Sequence, residues 1–258
     1  MDVADGLRNL NHSPDPVFVV VGVFDGLHLG HAYLLRHLVA EASLRQARPV
    51  VITFDHHPEE VITGSAPPLL CDPAERLDRL ADAGVDTTVV AHFDQQLRET
   101  TYDAFVAMIA ARSPVAGFLM TPDAAFGYQR AGTADALTAL GRTEGFEVVV
   151  VPPLEIDGRQ VRSSEVRHAI AAGDLDRAAR LLGRPHAVVG SAAPDGNATR
   201  LEFALPVALP PDGEYRVAVD DAGEGKAVIG GDAIRLPGRR AASATRVAFL
   251  ERLPPAAR

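Results

Sequence analysis

Cysteine and lysine are nearly missing from this chain of 258 residues, which has one of each, Cys71 and Lys226. A single cysteine cannot form a disulfide within the chain, and this favours a reducing compartment. Because Lys226 comes late, a phosphate bound by the first two-thirds of the chain must be met by arginine, histidine, backbone N–H groups or a metal ion. Cys71 itself is expected to be a small buried apolar side chain rather than a nucleophile.

Long apolar runs and positive net charge are also missing. No run approaches the roughly 20 residues of a membrane-spanning helix. The first twenty residues carry acidic, amide and proline side chains in place of a secretory signal. A net charge of −9 and a pI of about 5.4 argue against a general nucleic-acid binder, which needs a basic face. We therefore expect a cytoplasmic protein that binds neither nucleic acid nor membrane.

What the chain does contain, up to about residue 152, is an alternation of β-branched apolar runs with segments of helical periodicity. The predicted strands are residues 17–23, 50–54, 86–93, 115–120 and 146–151, and the predicted helices are residues 29–45, a segment opening at Asp72-Pro73, 101–111 and 134–140. Such alternation predicts βαβ units with right-handed crossovers. The expected fold class is α/β, a doubly wound, Rossmann-like parallel sheet.

Two short helices are predicted within residues 163–182, and after them the sequence changes to short strands between Gly- and Pro-rich turns. These strands are predicted at residues 188–190, 201–205, 215–219 and 247–250, and residues 220–231 are predicted to be a loop. We therefore expect two domains, one of residues 1–186 and a small β-rich one of residues 187–258.

The strongest chemical signal is Gly-Val-Phe-Asp-Gly-Leu-His-Leu-Gly-His at residues 22–31. The segment follows a predicted strand and opens a predicted helix, which puts His28 and His31 at the rim where such sheets bind ligands. Gly30 lets a nucleotide approach the backbone, and a helix N-terminus offers N–H groups to phosphate. Fixed donors there would stabilise charge on phosphoryl oxygens during nucleotidyl transfer. Two surface histidines near a turn are the alternative interpretation.

A second candidate is Arg162-Ser163-Ser164-Glu165-Val166-Arg167, at the start of a predicted helix. The serine hydroxyls can cap that helix or hold phosphate oxygens, and Arg167 can pair with a phosphate in bidentate fashion. An ordinary N-cap with a surface arginine explains the same pattern. His56-His57 suggests a metal site, but no further ligands at suitable spacing are evident nearby, so metal ligands stay unassigned.

Residues 22–31 resemble the signature of the HxGH nucleotidylyltransferases. Within these, the chain is similar to the FMN adenylyltransferase (FAD synthetase) part of the bacterial bifunctional riboflavin kinase/FAD synthetases, from about residue 17 to residue 190. The shared blocks are Thr-Phe-Asp-His-His-Pro at residues 53–58, with His56 in place of proline, Asp-Ala-Ala-Phe-Gly at residues 123–127, the block at residues 162–167, and Leu-Gly-Arg-Pro at residues 182–185.

This resemblance implies an enzyme that transfers an adenylyl group from ATP to a phosphorylated acceptor, most simply FMN, giving FAD and pyrophosphate. It implies Mg²⁺ accompanying ATP, and catalytic roles for His28, His31 and Arg167. The residues implied to bind ATP are Gly22, Phe24, Asp25, Gly30, Ser163 and Ser164, and those implied to bind the acceptor are Phe54, His57, Pro58, Asp123 and Phe126.

Three positions depart from the family pattern. Thr121 replaces a glycine, Ala124 replaces a phenylalanine and Arg162 replaces a serine. The first two bear on the acceptor side, so a non-flavin phosphate or phosphonate of a specialised pathway stays an alternative acceptor. A non-catalytic protein that binds flavin or nucleotide is a second alternative. A class I aminoacyl-tRNA synthetase is disfavoured, because the chain is short, acidic and without a lysine-rich second signature.

The tail departs further from the family. It lacks the Pro-Thr-Ala-Asn segment of the riboflavin kinases, and residues 209–215 and 247–250 resemble segments of the kinase barrel only weakly. The tail is therefore expected to be a degenerate kinase-like domain without riboflavin kinase activity. A further expectation is that this domain either covers apolar surface of the first domain or pairs two copies of the chain.

Overall fold

The computed structural model describes residues 1–220, 223–238 and 244–254. The chain divides into two compact units. The first unit comprises Met1–Phe24, Gly30–Pro67 and Leu77–Leu154, and the second comprises Asp25–Leu29, Pro68–Arg76 and Glu155–Arg258.

The first unit is built on a six-stranded sheet in which every neighbouring pair of strands is parallel. Its strands are β1 (Asp2–Asp5), β2 (Val17–Val21), β3 (Arg48–Phe54), β4 (Thr87–Ala91), β5 (Val115–Met120) and β8 (Glu147–Val150), while β6 (Ala125–Phe126) and β7 (Gly132–Thr133) form a separate antiparallel pair. The central strands are almost wholly buried, as their runs of valine and isoleucine predict.

Six helices precede or follow these strands along the chain: α1 (Leu29–Leu44), α2 (Pro58–Thr63), α3 (Pro73–Asp82), α4 (Gln95–Glu99), α5 (Tyr102–Ala110) and α6 (Ala134–Glu144). Their ends follow local rules. Thr133 caps α6 by accepting from the Ala136 N–H, and Gly145 ends that helix in the left-handed conformation. The predicted α/β fold class is confirmed, although α2, α4 and the edge strand β1 were not predicted.

The strand order β1-β4-β3-β2-β5-β8 fixes where a ligand should bind. From β2 the chain moves outward through β3 to β4, and it later returns to the other side of β2 as β5 before continuing to β8. The direction of winding therefore reverses between β2 and β5. In open parallel sheets, the crevice at the carboxyl ends of the two strands flanking such a reversal is the usual ligand site.

The second unit contains the hairpin of β9 (Glu155–Ile156) and β10 (Arg159–Gln160), the helices α7 (Ser163–Ala171) and α8 (Leu175–Leu182), and a closed barrel. The barrel strands are β11 (Ala187–Asp195), β12 (Ala198–Glu202), β13 (Gly213–Val219), β14 (Gly223–Gly230), β15 (Ala233–Pro237) and β16 (Ala244–Arg252), closed in the order β11-β12-β15-β14-β13-β16. Its interior is filled by side chains that include Tyr215, Val217, Ile234 and Phe249.

The loop predicted at residues 220–231 is wrong, because most of this segment is strand β14. Residues 221 and 222, in that segment, lie outside the described residues. Strand β14 pairs with β13 from Gly223 to Ile229. Ala227 and Ile229 point into the barrel core. Long-range pairing therefore overrides the glycine-rich, charged local sequence. In the described parts of the chain, no helix is both long and apolar enough to span a bilayer.

Candidate active site

A cavity of about 610 Å³ lies at the reversal point of the first unit's sheet. Val21 at the end of β2 lines it, together with Gly22 and Val23 that follow. Met120 at the end of β5 lines the opposite side. The cavity therefore occupies the crevice that the strand order predicts for a ligand, and its volume is in the range of small-molecule sites.

Aromatic rings form much of the cavity wall. The ring centroids of Phe54 and Phe93 are 5.2 Å apart, and those of Phe105 and Phe126 are 5.1 Å apart. All four side chains line the cavity, and Ala124 lines it as well. Rings at these separations present flat, apolar surfaces on which another ring system can pack.

Two arginines, Arg98 and Arg130, give the same cavity positive charge. Arg130 is held in place because its Nη2 donates to the Asp123 carbonyl at 3.0 Å. The turn before it requires glycine, since Gly127 has φ 75° and a Cβ there would lie 2.6 Å from the Tyr102 nitrogen. Neither arginine is among the site residues predicted from the sequence. Arg130 lies three positions after the family block at residues 123–127, whereas Arg98 lies outside the family blocks named above.

The predicted acceptor residues fall into two groups. Phe54, Pro58 and Phe126 line the cavity. His57 instead caps helix α2, with its Nδ1 accepting from the Glu59 N–H at 3.2 Å. The Asp123 carboxylate accepts from the Thr121 hydroxyl at 2.9 Å. Thr121, which replaces a family glycine, therefore has a local role in orienting Asp123.

In the second unit, Asp25 is a buried carboxylate with two kinds of partner. It is 3% exposed and accepts from the Leu70 N–H at 3.0 and 3.1 Å. Arg167 Nη2 lies 2.5 Å from its Oδ2, and Arg167 Nε donates to the Pro68 carbonyl at 2.8 Å. The arginine predicted to meet phosphate is thus engaged with a buried carboxylate, and the pair can persist because its hydrogen bonds are satisfied.

The segment that follows Asp25 is held through its backbone. The Ser163 hydroxyl donates to the Asp25 carbonyl at 3.1 Å, and Arg184 Nη2 donates to the Gly26 carbonyl at 2.8 Å. Ser163 therefore does not cap α7, whose N-cap residue, Arg162, makes no side-chain cap bond. Ser164 lies in the first turn of α7. Arg184 belongs to the family block at residues 182–185, whose sequence alone predicts no role for it.

His28 is 4% exposed and belongs to the second unit. Burial, together with the nearby Arg184 and Arg167 cations, lowers the pKa of its imidazole to about 4. The ring is therefore neutral at pH 7. A neutral imidazole can still donate one N–H to a phosphoryl oxygen, but it contributes no positive charge.

His31 belongs to the first unit and lies, with Gly30, in the first turn of α1. Its ring packs against Phe24, with centroids 5.1 Å apart. Phe24 is 2% exposed, and its ring would lie 3.0 Å from a Cβ at Gly22. Gly22 thus makes room for a buried ring that supports His31.

Cys71 is buried, and burial together with the Asp25 carboxylate raises the pKa of its thiol to about 12. It stays a protonated thiol at neutral pH, as expected for a residue that is not a nucleophile.

The surroundings of His56 differ from the expectation. No companion ligands are evident near it in the sequence, but the structure places Asp55 and His92 beside it. Partial burial opposes ionisation of Asp55, yet hydrogen bonds from His92 and from the Phe93 and His56 N–H groups leave its pKa lowered. The same hydrogen bond with Asp55 raises the pKa of His92.

Comparison with known proteins assigns residues 10–165 to the family described as FAD synthetase. The chain is 32% identical over 233 residues to the bifunctional riboflavin kinase/FMN adenylyltransferase of Pseudomonas fluorescens, a match covering 87% of this chain and 75% of that protein. It is 32% identical over 192 residues to the Haemophilus influenzae protein of the same name, covering 74% of this chain and 62% of that one. A solved structure described as a macrolide-efflux protein of Streptococcus pneumoniae matches with TM-score 0.82 and 25% identity over 98% of this chain and 90% of that one. The chain belongs to the FAD synthetase family.

Proposed function

We propose that this chain is an FMN adenylyltransferase, which transfers the adenylyl group of ATP to the phosphate of FMN and so forms FAD and pyrophosphate. The observation that carries the proposal is the aromatic cavity at the reversal point of the sheet in a member of the FAD synthetase family. The flavin ring is flat with apolar faces and suits the walls made by Phe54, Phe93 and Phe126. Arg98 and Arg130 are suited to the acceptor phosphate.

The proposed reaction is a direct displacement. An FMN phosphate oxygen attacks the α-phosphorus of ATP, and the bond to the β-phosphate breaks as the new P–O bond forms. No covalent enzyme intermediate is needed, so the protein contributes positioning and hydrogen-bond donors. We assign His28 and His31 as donors to phosphoryl oxygens, His28 acting as a neutral imidazole. Arg167, Ser163 and Ser164 are assigned to the triphosphate, and Gly22, Phe24, Asp25 and Gly30 to the positioning of ATP.

Magnesium is proposed to enter as part of the MgATP substrate. Mg²⁺ in such reactions is held mainly by phosphate oxygens and water, with one or two protein carboxylates. Asp25 lies within the signature of residues 22–31, but its oxygens already accept from Leu70 and Arg167. We therefore assign the metal chiefly to the phosphates.

A different acceptor is the second candidate, and one observation favours it. Ala124 lines the cavity at a position where the family has an aromatic residue, so the site offers less ring contact than an FMN site of the usual pattern. A smaller or non-aromatic phosphate or phosphonate would not need that contact.

The deciding experiment is an acceptor screen with each nucleoside triphosphate, monitored by pyrophosphate release, with FAD measured by its fluorescence after chromatography. We expect FAD and pyrophosphate in equal amounts from FMN and MgATP. Ala124→Phe should tighten FMN binding by up to about tenfold, since one aromatic contact contributes about 0.5–1.5 kcal/mol. Pyrophosphate release with another acceptor, and no FMN binding by either form, would reject the flavin assignment. Nucleotide binding without any turnover would make the protein a non-catalytic binder.

We further propose a domain boundary between residues 186 and 187. The tail is proposed to derive from a riboflavin kinase without retaining its activity, and to pair copies of the chain. A cytoplasmic location is proposed on the strength of the single cysteine.

A further inference from the structure

We propose that Asp55, His56 and His92 form a binding site for a divalent transition-metal ion of the zinc type. One ligand atom from each residue lies within 4.8 Å of the other two. All three residues belong to the first unit, where Asp55 directly follows β3 and His92 directly follows β4. Because β3 and β4 are parallel neighbours, their carboxyl ends meet at one edge of the sheet. The inference is independent of the proposed adenylyl transfer.

The Asp55 carboxylate is already oriented for such a role. Its Oδ1 accepts from the backbone N–H groups of His56, at 2.7 Å, and Phe93, at 3.0 Å. Its Oδ2 lies 2.5 Å from His92 Nδ1 and 3.9 Å from His56 Nε2. One oxygen is thus anchored to the backbone, and the other faces both imidazoles.

His56 has a partner that fixes its ring in the required orientation. Its Nδ1 lies 3.4 Å from Glu60 Oε2, one turn along helix α2. Imidazoles that ligate metals usually donate their second N–H to a carboxylate, which fixes the tautomer and raises the basicity of the ligating nitrogen. Glu60 can accept in this way from His56 Nδ1, and Nε2 is then left to bind the ion.

The donor set selects the metal. Two imidazole nitrogens and one carboxylate oxygen suit zinc and neighbouring transition metals, whereas magnesium and calcium prefer oxygen ligands alone. A tetrahedral zinc ion places its ligand atoms roughly 3.4 Å apart. The side chains of His56 and His92 are 47% and 65% exposed, so small rotations can reach that spacing and leave a position for water.

A metal ion bound at this position would stabilise the edge of the aromatic cavity. Phe54 precedes Asp55 and Phe93 follows His92, and both phenylalanines line the cavity. Pro58 and Ile62 of α2 line it too. Metal binding would therefore hold the start of α2 against the end of β4.

The test uses full-length protein without a histidine tag, freed of metal and nucleotide, and titrated with ZnCl₂ by calorimetry in excess Mg²⁺. We expect one zinc per chain. His56→Ala and His92→Ala should each weaken binding by about tenfold or more, and Glu60→Gln by roughly tenfold as a residue that orients a ligand. His12→Ala removes an exposed histidine of the same unit and should leave binding unchanged. Melting curves of the metal-free variants establish that each is folded.

A second readout is Co²⁺, whose visible absorption band intensifies in low-coordinate nitrogen–oxygen sites and should appear with the wild type and not with His92→Ala. The proposal is overturned if the wild type binds no zinc under these conditions. It is equally overturned if zinc binding is the same in His56→Ala and His92→Ala as in the wild type, or if Mg²⁺ displaces the ion at similar concentration.

Discussion

Burial keeps two imidazoles of the second unit uncharged at neutral pH. His28 and His186 are 4% and 1% exposed, and burial is the main reason that the pKa of each is lowered to about 4. His186 hydrogen-bonds through Nε2 to the Ala208 carbonyl at 2.7 Å, and its ring stacks on Phe249. That hydrogen bond favours the charged form, but it does not outweigh desolvation.

The buried histidines predict a loss of stability in mild acid. An unfolded histidine titrates near 6.5 and the folded ones near 4, so the unfolded state binds more protons in this window. The free energy of unfolding should therefore fall as the pH is lowered from about 6.5 to about 4, by up to roughly 3 kcal/mol for each histidine. Urea unfolding between pH 7.5 and 4 measures this loss.

His186→Gln tests the assignment, because glutamine keeps an N–H donor and cannot be protonated. The variant should lose less stability between pH 6.5 and 4 than the wild type, whereas His12→Gln, at an exposed site, should behave like the wild type. An identical pH dependence in all three proteins would contradict the role of His186.

For the two histidines of the signature we predict a catalytic effect larger than the folding effect. His28→Ala and His31→Ala should each lower kcat by roughly 100-fold or more, the scale of removing one donor to a developing oxyanion. FAD formation and thermal unfolding are measured on the same samples, with His12→Ala as control. Normal turnover with a lowered melting temperature would make the two histidines structural.

Asp25 should contribute far more to stability than an exposed acidic residue does. Asp25→Asn leaves Arg167, whose side chain is 16% exposed, without its anionic partner. Breaking a buried pair in this way costs about 3 kcal/mol or more. Glu224→Gln is the matched change in an exposed pair, with Arg216 at 3.1 Å, and should cost less than about 1 kcal/mol. Equal losses in urea unfolding would mean that the Asp25 pair is not a stabilising contact.

At the scale of elements, the tight turn at Asp25–Leu27 depends on one glycine. Gly26 has φ 79°, and a Cβ there would lie 2.8 Å from the Leu70 Cβ. Both strain and a close contact therefore oppose any side chain. Gly196, between β11 and β12, has φ 60° but nothing within 4 Å of such a Cβ. A comparison of the two glycines therefore separates the free-energy cost of the left-handed backbone conformation from that of the close contact with Leu70.

Gly26→Ala should therefore destabilise the protein more than Gly196→Ala does. The left-handed conformation costs about 1–2 kcal/mol at either site, and overpacking against Leu70 adds about 1–3 kcal/mol at Gly26 alone. Chemical unfolding of the two variants gives the difference directly. An equal loss in the free energy of unfolding at both positions would show that the Leu70 side chain moves aside without an energetic cost.

The elements that could be predicted are those whose local sequence already shows the apolar pattern or the end residues typical of their type. Strand β2 and the buried part of β3, residues 50–54, are β-branched or apolar throughout, β5 is apolar, and Pro73 marks a helix start. Strand β14 was missed because its stability comes from pairing with β13 and β15, which local composition does not encode. Strand β1 was missed because only one of its four residues is buried.

Only part of the candidate site could be predicted from the sequence. Phe54, Pro58 and Phe126 were found through blocks shared with the family, and they line the cavity. His92 owes its position to a long-range contact with Asp55, whereas Arg130 is held by a local hydrogen bond to the Asp123 carbonyl, seven positions earlier in the chain. No spacing rule in a single sequence connects residues 37 positions apart, as Asp55 and His92 are.

Strands β11 to β16 form a closed barrel, and the tail lacks the Pro-Thr-Ala-Asn segment of the riboflavin kinases. The barrel interior is a packed core, with Tyr215, Ile234 and Phe249 each at most 2% exposed. Small closed barrels are usually filled in this way. Lys226, the chain's one lysine, pairs at 2.6 Å with Glu214 on the neighbouring strand. It is therefore engaged on the barrel rather than placed for phosphate.

We expect the chain to form FAD from FMN but not to form FMN from riboflavin. The tail lacks the Pro-Thr-Ala-Asn segment. In the riboflavin kinases that the family resemblance brings in, this segment is expected to bind ATP and magnesium. Incubation with riboflavin and MgATP should give no FMN above the level without protein, while the same preparation given FMN should give FAD. The Pseudomonas fluorescens relative is the positive control for the kinase assay. Clear FMN formation by this chain would show that the barrel keeps a kinase site built from residues other than that segment.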